Sequence, residues 1–582
     1  MSMSSLPTTV APTSLAGLQE SVGPLLGHGA YQRRMLVCGI ACVATALTQF
    51  ISNRLIGRPV DHWCQPLVEL RHLSADTWKN LSIPIEADGS FSKCTMFDPP
   101  VLGTVAENRT VIECRSWDYD IADKGDSIVS RFDLVCSRQY LYPLSSLFTS
   151  LSYTILSPVA GFASDRIGRK PVTVVCAFIL VFSLIGCSVA KTFTFFLVNR
   201  ALAMAAGNGG YLLTFILLYE GTGPSRRWLF LLLQTAVPGT IVPPVLQILS
   251  WQSPSWALAQ ALIITPAAIF GVCCFLLEES PAWLLATWKV REAEEGVLLA
   301  AKVNGQDADK ARRGFRVLLA EMGKLLDSNE PTYMASATEG ILETMRMRRL
   351  AVAAFFSRFT LSGVYFGLVF SDNTSGYFWL GVFFGLSTST YCIIILAVNR
   401  YGIRETLSAV LAITCCSAVA KFLMTLSGEH FATPFVHAAM KAVVSGSMSV
   451  VMWYAGDAFP TKIRCAGVSL SVFFGGIGSY LGMFLAKLKT EPEGVYFSMY
   501  VAVMTMLSVV AVQWLPEVFI EKPKEVRSLD IPSPEVEVVP QFSLTESTLT
   551  MGKQPQELLT QLMKYCSSTY QNMFSVPKLT MP

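Results

Sequence analysis

The sequence predicts an all-α membrane protein: twelve spanning helices in two six-helix bundles, with a large outer loop after the first helix. Three observations carry this reading. They are apolar runs of bilayer-crossing length, a one-sided distribution of Lys and Arg among the loops, and an internal repeat. Composition agrees. Of 582 residues, 52% are hydrophobic and only 15% are charged, where soluble chains carry about a quarter charged. Mean hydropathy is +0.45. The formal net charge of +3 is too small to point to nucleic acid.

A hydrocarbon core about 30 Å thick takes roughly 20 apolar helical residues. Such runs fall at 34–53, 141–163, 171–190, 193–218, 228–250 and 257–277 in the first half, and at 349–371, 376–398, 406–426, 433–455, 465–487 and 495–515 in the second. The first run starts some 30 residues in and has no small-residue cleavage pattern, so it reads as a span and not as a cleaved signal. Lys191 and Thr192 mark the turn between the third and fourth.

Orientation follows from the basic residues of short loops. One side collects Arg33, Arg34, Arg166, Arg169, Lys170, Arg226, Arg227, Arg400, Arg404, Lys462, Arg464, Lys522 and Lys524. The opposite short loops are nearly bare, with Lys487 and Lys489 the main exception. Both termini (1–33 and 516–582) and the central loop (278–348) are therefore expected in the cytosol, flanking bundles at 34–277 and 349–515. A plasma-membrane location is expected.

The outer loop, 54–139, holds Cys64, Cys94, Cys114 and Cys136, which read as two disulfides with three pairings open. It also carries glycosylation sequons at Asn80 and Asn108. A third, at Asn373, falls close to the membrane. The central loop contains two amphipathic helical patterns that could lie on the bilayer surface. The tail is rich in Pro, Ser, Thr and Glu and reads as largely disordered, with a helical pattern at its end.

The halves carry matching junctions. Asp165 to Lys170 after the second span recurs as Asn399 to Arg404 after the eighth, an offset of 234 residues. Glu220 and Asp457 are 237 apart, and Glu279 and Glu517 are 238 apart. Two similar bundles follow, as in carriers that rock about a central site. The junctions have the chemistry of a gate. Asp165 at a helix end can pair with Arg or with a neighbouring helix N-terminus. Gly168 permits a tight turn. Arg166, Arg169 and Lys170 can bridge to Glu220 or Glu279, and Arg226, Asp457 and Arg464 repeat the pattern.

Several segments resemble a known family. GFASDRIGRK (161–170) is similar to the loop signature of the major facilitator superfamily. The cysteine-bearing outer loop ending SRFDLVC (130–136) narrows the resemblance to solute carrier family 22, the organic cation, anion and carnitine transporters. So do NRALAMAAGNGG (199–210), ESPAWLL (279–285), YFGL (365–368) and YAGDAFPTKIR (454–464). The resemblance covers about residues 27–520 and implies the major facilitator fold. The chain departs from the pattern. Ala282 stands where the family usually has Arg, Asp457 where Glu is usual, and Asn399 replaces an acid. Position 476, near which members often carry a charge, is Gly.

The expected function is a secondary transporter of small organic ions working by rocker-switch alternating access. The alternative is a non-transporting or ligand-binding receptor protein on the same scaffold. No nucleotide, zinc-protease or serine-hydrolase motif supports an enzyme or a primary pump, and nothing calls for a cofactor or metal. Ionisable groups inside spans are costly and usually face a cavity or a partner. Arg358, Lys421 and Lys441 are the candidates here, with Lys421 placed to pair with Glu429. Tyr365, Phe366, Trp453, Tyr454, Phe473 and Phe474 are candidate aromatic walls. With no carboxylate deep in a span, the balance tilts slightly toward organic anions or zwitterions bearing a carboxylate. Organic cations stay close behind, because aromatic faces bind ammonium groups.

Overall fold

The structure is a computed structural model that describes residues 22–58, 60–87, 89–98, 110–121, 126–252, 255–327, 344–371, 377–428, 431–488 and 495–513. Twelve long helices dominate it. The first six are α1 (Ala30–Ile56), α2 (Leu141–Ile167), α3 (Arg169–Val189), α4 (Phe193–Glu220), α5 (Pro224–Trp251) and α6 (Trp256–Cys274). The second six are α7 (Met345–Phe370), α8 (Tyr377–Tyr401), α9 (Ile403–Leu426), α10 (Thr433–Ala458), α11 (Arg464–Lys487) and α12 (Val495–Val512). Each overlaps an expected span to within a few residues.

Eleven of these helices are long and apolar enough to cross a membrane. The other, α2, has the length, but it turns Ser145, Thr149, Thr154, Ser157 and Ser164 into the protein. The first four bond to helix carbonyls of the preceding turn, as Thr149 does to Ser145 at 3.0 Å, and Ser164 donates to Cys465 Sγ of α11 at 3.5 Å, so their burial leaves no polar group unmet.

The helices of each half pack among themselves, and the halves meet where α2 lies on α11 and α5 lies on α8 and α10. Small residues allow close approach without a hydrophobic drive. In α4 the run Ala203–Gly210 is buried throughout. The tightest pair is α7 with α11: a Cβ on Gly363 would stand 2.8 Å from the carbonyl of Gly478, and one on Gly367 3.0 Å from that of Gly482. The lipid-facing side is apolar in turn. On α3, Phe178, Phe182, Ile185 and Val189 are exposed while Val172, Cys176, Leu180 and Leu184 are buried.

Two amphipathic helices, Val290–Val303 and Ala308–Asp327, follow α6, after a turn of helix at Pro281–Ala286. Their apolar faces do not lie on a bilayer surface. Ala293, Val297, Ala300 and Phe315 are fully buried by protein. The two helices pack on each other, on Pro281–Ala286 and on the N-terminal helix Val22–Leu26, whose Val22 and Leu26 are buried as well. Asn304 fastens the two parts, accepting from the Tyr31 amide at 3.0 Å and donating to the Leu26 carbonyl at 2.8 Å. The stretch before α1 is thus built into the fold from Val22 on.

Between α1 and α2 the chain forms two antiparallel strand pairs, His62–Cys64 with Trp117–Tyr119 and Thr95–Asp98 with Thr110–Glu113. The helix Ala75–Ser82 buries Trp78, whose Nε1 donates to the Cys64 carbonyl at 2.8 Å. Cys64 pairs with Cys114 and Cys94 with Cys136, at Cα separations of 5.5 and 5.6 Å. Asn80 is exposed on that helix, whereas Ser82 of its sequon is buried. Asn108, Asn373 and the tail from 514 lie outside the described residues.

Candidate functional site

Two features stand out along the axis between the halves. One is an ionic cluster at the end where the basic loops gather; the other is a cavity in the middle.

The cluster begins at the turn between α2 and α3. Gly168 has φ of +125° there, a backbone state L side chains rarely adopt, and a Cβ on it would meet the Glu279 carboxylate, 2.5 Å away. Gly402 makes the same turn between α8 and α9 with φ of +89°, so the repeat read in the sequence is a repeat in space.

Arg169 follows the turn and is fully buried. It lies 3.1 Å from Asp165 and 3.3 Å from Glu220, and it donates to the Thr461 carbonyl of the opposite half at 2.7 Å. Arg464, at the start of α11, reaches back to Glu220 at 2.9 Å. Asp165 in turn accepts the backbone N–H groups of Cys465 (3.3 Å) and Ala466 (2.8 Å). It thereby caps the N-terminus of a helix in the other half, where the helix dipole favours an anion. Glu279 does the same for α3, accepting from the Arg169 and Lys170 amides at 3.0 and 3.1 Å. Burial pushes its carboxyl above the usual range, and the bonds from Ser280, Arg169 and Lys170 pull against that shift. The hydroxyl of Tyr219 donates to Asp457.

Two expected members stand apart. Arg166 and Arg226 are exposed. Their neighbours take the inward places: Arg227 lies over the Tyr219 ring at 4.1 Å. Lys170 makes a half-exposed pair with Glu278 at 3.2 Å. Sequence reasoning missed Tyr219 and Thr461. The second acts through its backbone carbonyl, which residue type does not announce.

The cavity has a volume of about 660 Å³. Its walls come from α1, α2, α4 and α5 on one side and α7, α8, α10 and α11 on the other. Among the described residues none from α3, α6, α9 or α12 lines it. It runs from Asn208 and Tyr211 in mid-span to Tyr142, Trp251, Trp379 and Lys487, at the end away from the cluster. The molecule is therefore sealed across the halves at the basic end and hollow toward the other.

Of the expected binding residues, Arg358, Tyr365, Phe366 and Lys441 line this cavity. The others do not. Trp453 and Tyr454 are buried in the packing of α10. Each residue of helix rises about 1.5 Å, so Trp453 lies about 18 Å along the axis from Lys441, below the cavity floor and close to Asp457. Phe474 stacks on Phe355 at 5.1 Å, and Phe473 meets Phe474 edge-on. Lys421 sits on the peripheral helix α9, 3.1 Å from His437 Nδ1; Glu429 lies outside the described residues. Lys441 lies over the Phe383 ring at 4.6 Å and Lys487 over Phe370 at 5.0 Å. Lys487 was the outlier in the loop-charge pattern, and its place at the cavity mouth accounts for it. Among the described residues, three cations and no carboxylate line the cavity.

Comparison with known proteins agrees with this architecture. The chain is 26% identical over 503 residues to the carcinine transporter of Drosophila melanogaster, covering 80% of this chain and 73% of that protein. It is 25% identical over 464 residues to organic anion transporter 3 of Oryctolagus cuniculus, covering 78% and 83%. Organic cation/carnitine transporter 2 of Mus musculus is 25% identical over 497 residues, with 80% and 85% covered. These names bear out the resemblance to solute carrier family 22. Among solved structures, the proton:xylose symporter XylE bound to 6-bromo-6-deoxy-D-glucose superposes with a TM-score of 0.54 at 13% identity, over 88% of this chain and 98% of that one. That match speaks to the fold alone. The family model described as Major Facilitator Superfamily matches residues 141–440. The chain belongs to the major facilitator superfamily.

Proposed function

We propose that this protein carries small organic ions across a membrane by alternating access, with the central cavity as the substrate site. The observation that carries the reading is the pairing of a cavity walled by both halves with a seal built across the same halves at one end only. In this reading the structure is the outward-facing state. Asp165, Arg169, Glu220, Asp457 and Arg464 form the inner gate, with Gly168, Lys170 and Glu279 setting its geometry. The basic end faces the cytosol, the halves 34–277 and 349–515 move as bundles, and the segment 54–139 is an outer domain held by two disulfides at the plasma membrane. The cationic lining and the named relatives together support organic ions as cargo, with the balance toward those bearing a carboxylate.

The test is uptake into proteoliposomes of purified protein, with labelled benzoate, tetraethylammonium and carnitine as probes of the anionic, cationic and zwitterionic classes. Saturable flux of at least one, lost in the Asp165→Asn, Arg169→Ala double variant, supports the reading. Binding with no flux of any of the three would leave the receptor alternative standing.

A further inference from the structure

Arg358 sits in the cavity wall on α7 with no ion pair among the described residues. Its Nη1 donates to the Met448 carbonyl of α10 at 2.9 Å. Its Nε is buried and meets no hydrogen-bond acceptor among the described residues. The side chain leans on α11 at Gly475. A Cβ there would stand 3.0 Å from Arg358 Cγ and 3.4 Å from Nε, so α11 offers bare backbone where any other residue would crowd the guanidinium. Gly475 and Gly476 themselves line the cavity. Tyr153 and Tyr211, from the opposite half, line the same cavity and lie within electrostatic range of the guanidinium. Asp165, Glu220 and Asp457, at the basic end, are already engaged in the cluster.

An arginine within the membrane is expensive unless something pairs with it. Nη1 points at a carbonyl, which leaves the Nε edge as the donor still to be met, shut against α11 at Gly475 until an anion displaces it. That edge, with its flanking Nη group, is the planar fork that takes a carboxylate or sulfonate through two parallel hydrogen bonds.

We propose that Arg358, in the notch opened by Gly475, is the subsite that reads the negative group of the substrate. Resting on the transport reading above, this narrows the cargo to organic anions, or zwitterions bound by their acidic end, carrying an apolar or aromatic body. The body lies against Phe50, Tyr153 and Phe366 of the wall. The anion then touches Arg358 on one half and the tyrosines on the other, so that charge recognition joins the two halves.

The experiment measures binding apart from flux. Full-length protein in lipid nanodiscs is melted with benzoate, with its uncharged counterpart benzamide, or with tetraethylammonium. Benzoate should raise the midpoint and benzamide should not. Arg358→Gln should abolish the rise. Arg358→Lys keeps the charge but loses the fork, and should weaken benzoate roughly tenfold. Gly475→Val keeps the arginine but displaces it, and should weaken benzoate similarly; it serves as the second variant if Arg358→Gln does not fold. The proposal fails if benzoate gives no rise, if tetraethylammonium alone does, or if Arg358→Gln binds benzoate within twofold of the parent. Benzoate binding without uptake would instead count against transport and leave the subsite intact.

Discussion

The ionic cluster and the cavity use the same kinds of residue to opposite ends. In the cluster every buried charge has its complement: Glu220 lies between Arg169 and Arg464, and Asp165 meets both Arg169 and the amides opening α11. In the cavity Arg358, Lys441 and Lys487 gather with no carboxylate among the described lining residues. A balanced network buried between two bodies holds them together, because breaking it strands charges out of water. A wall with cations and no carboxylate among its described residues is suited to meet a negative group from outside. The contrast separates the part of the machine that fixes a conformation from the part that awaits cargo.

The largest effect should come from unbalancing the cluster. Glu220→Gln leaves two buried guanidinium groups facing each other and should destabilise the sealed state by about 3–5 kcal/mol. Crosslinking yield between cysteines introduced across the α2–α11 contact should fall sharply; an unchanged yield would mean the network does not hold the halves.

Next is the cap. Asp165→Asn keeps an acceptor but loses the charge on the α11 N-terminus, an effect of about 1 kcal/mol. Transport should drop while surface expression survives. Parental uptake by a well-expressed Asp165→Asn, Arg169→Ala double variant would remove the gating role.

The comparison sharpens at Arg358, where the sign should reverse. Removing a charge with no counter-ion among the described residues should leave ligand-free stability level or higher, by up to about 1 kcal/mol, read as an unchanged or raised melting midpoint. A clear fall in that midpoint for Arg358→Gln would show that the arginine is structural. The smallest effect is expected at the half-exposed Lys170–Glu278 pair. Lys170→Ala should cost under about 1 kcal/mol, read as a shift of the same midpoint.

The twelve helices, their order and the repeat were legible in the sequence, because bilayer length and loop charge act locally along the chain. So was most of the cluster, whose members sit at helix ends where charge is conspicuous. The cavity wall was less legible. Along α10, Lys441, Ser445, Met448 and Ser449 form one helical face, and the wall stops there because the cavity does. Nothing near Trp453 or Tyr454 marks that depth. Lys421 was misread for a related reason: hydropathy does not tell a helix bordering the cavity from one behind it. The amphipathic faces of Val290–Val303 and Ala308–Asp327 were visible, but not the protein layer that covers them. A partner 273 residues away, as Tyr31 is to Asn304, leaves no local trace.

The borrowed cap on α11 has one more consequence. The amides of Cys465 and Ala466 are protected only while Asp165, on the other half, stays in place. When the halves part at that end, both N–H groups are handed to water together. Their hydrogen–deuterium exchange is thus a clock for the transport cycle that needs no introduced cysteine or dye. It should run slowly in the sealed state and quicken whenever the protein is caught open to the basic side.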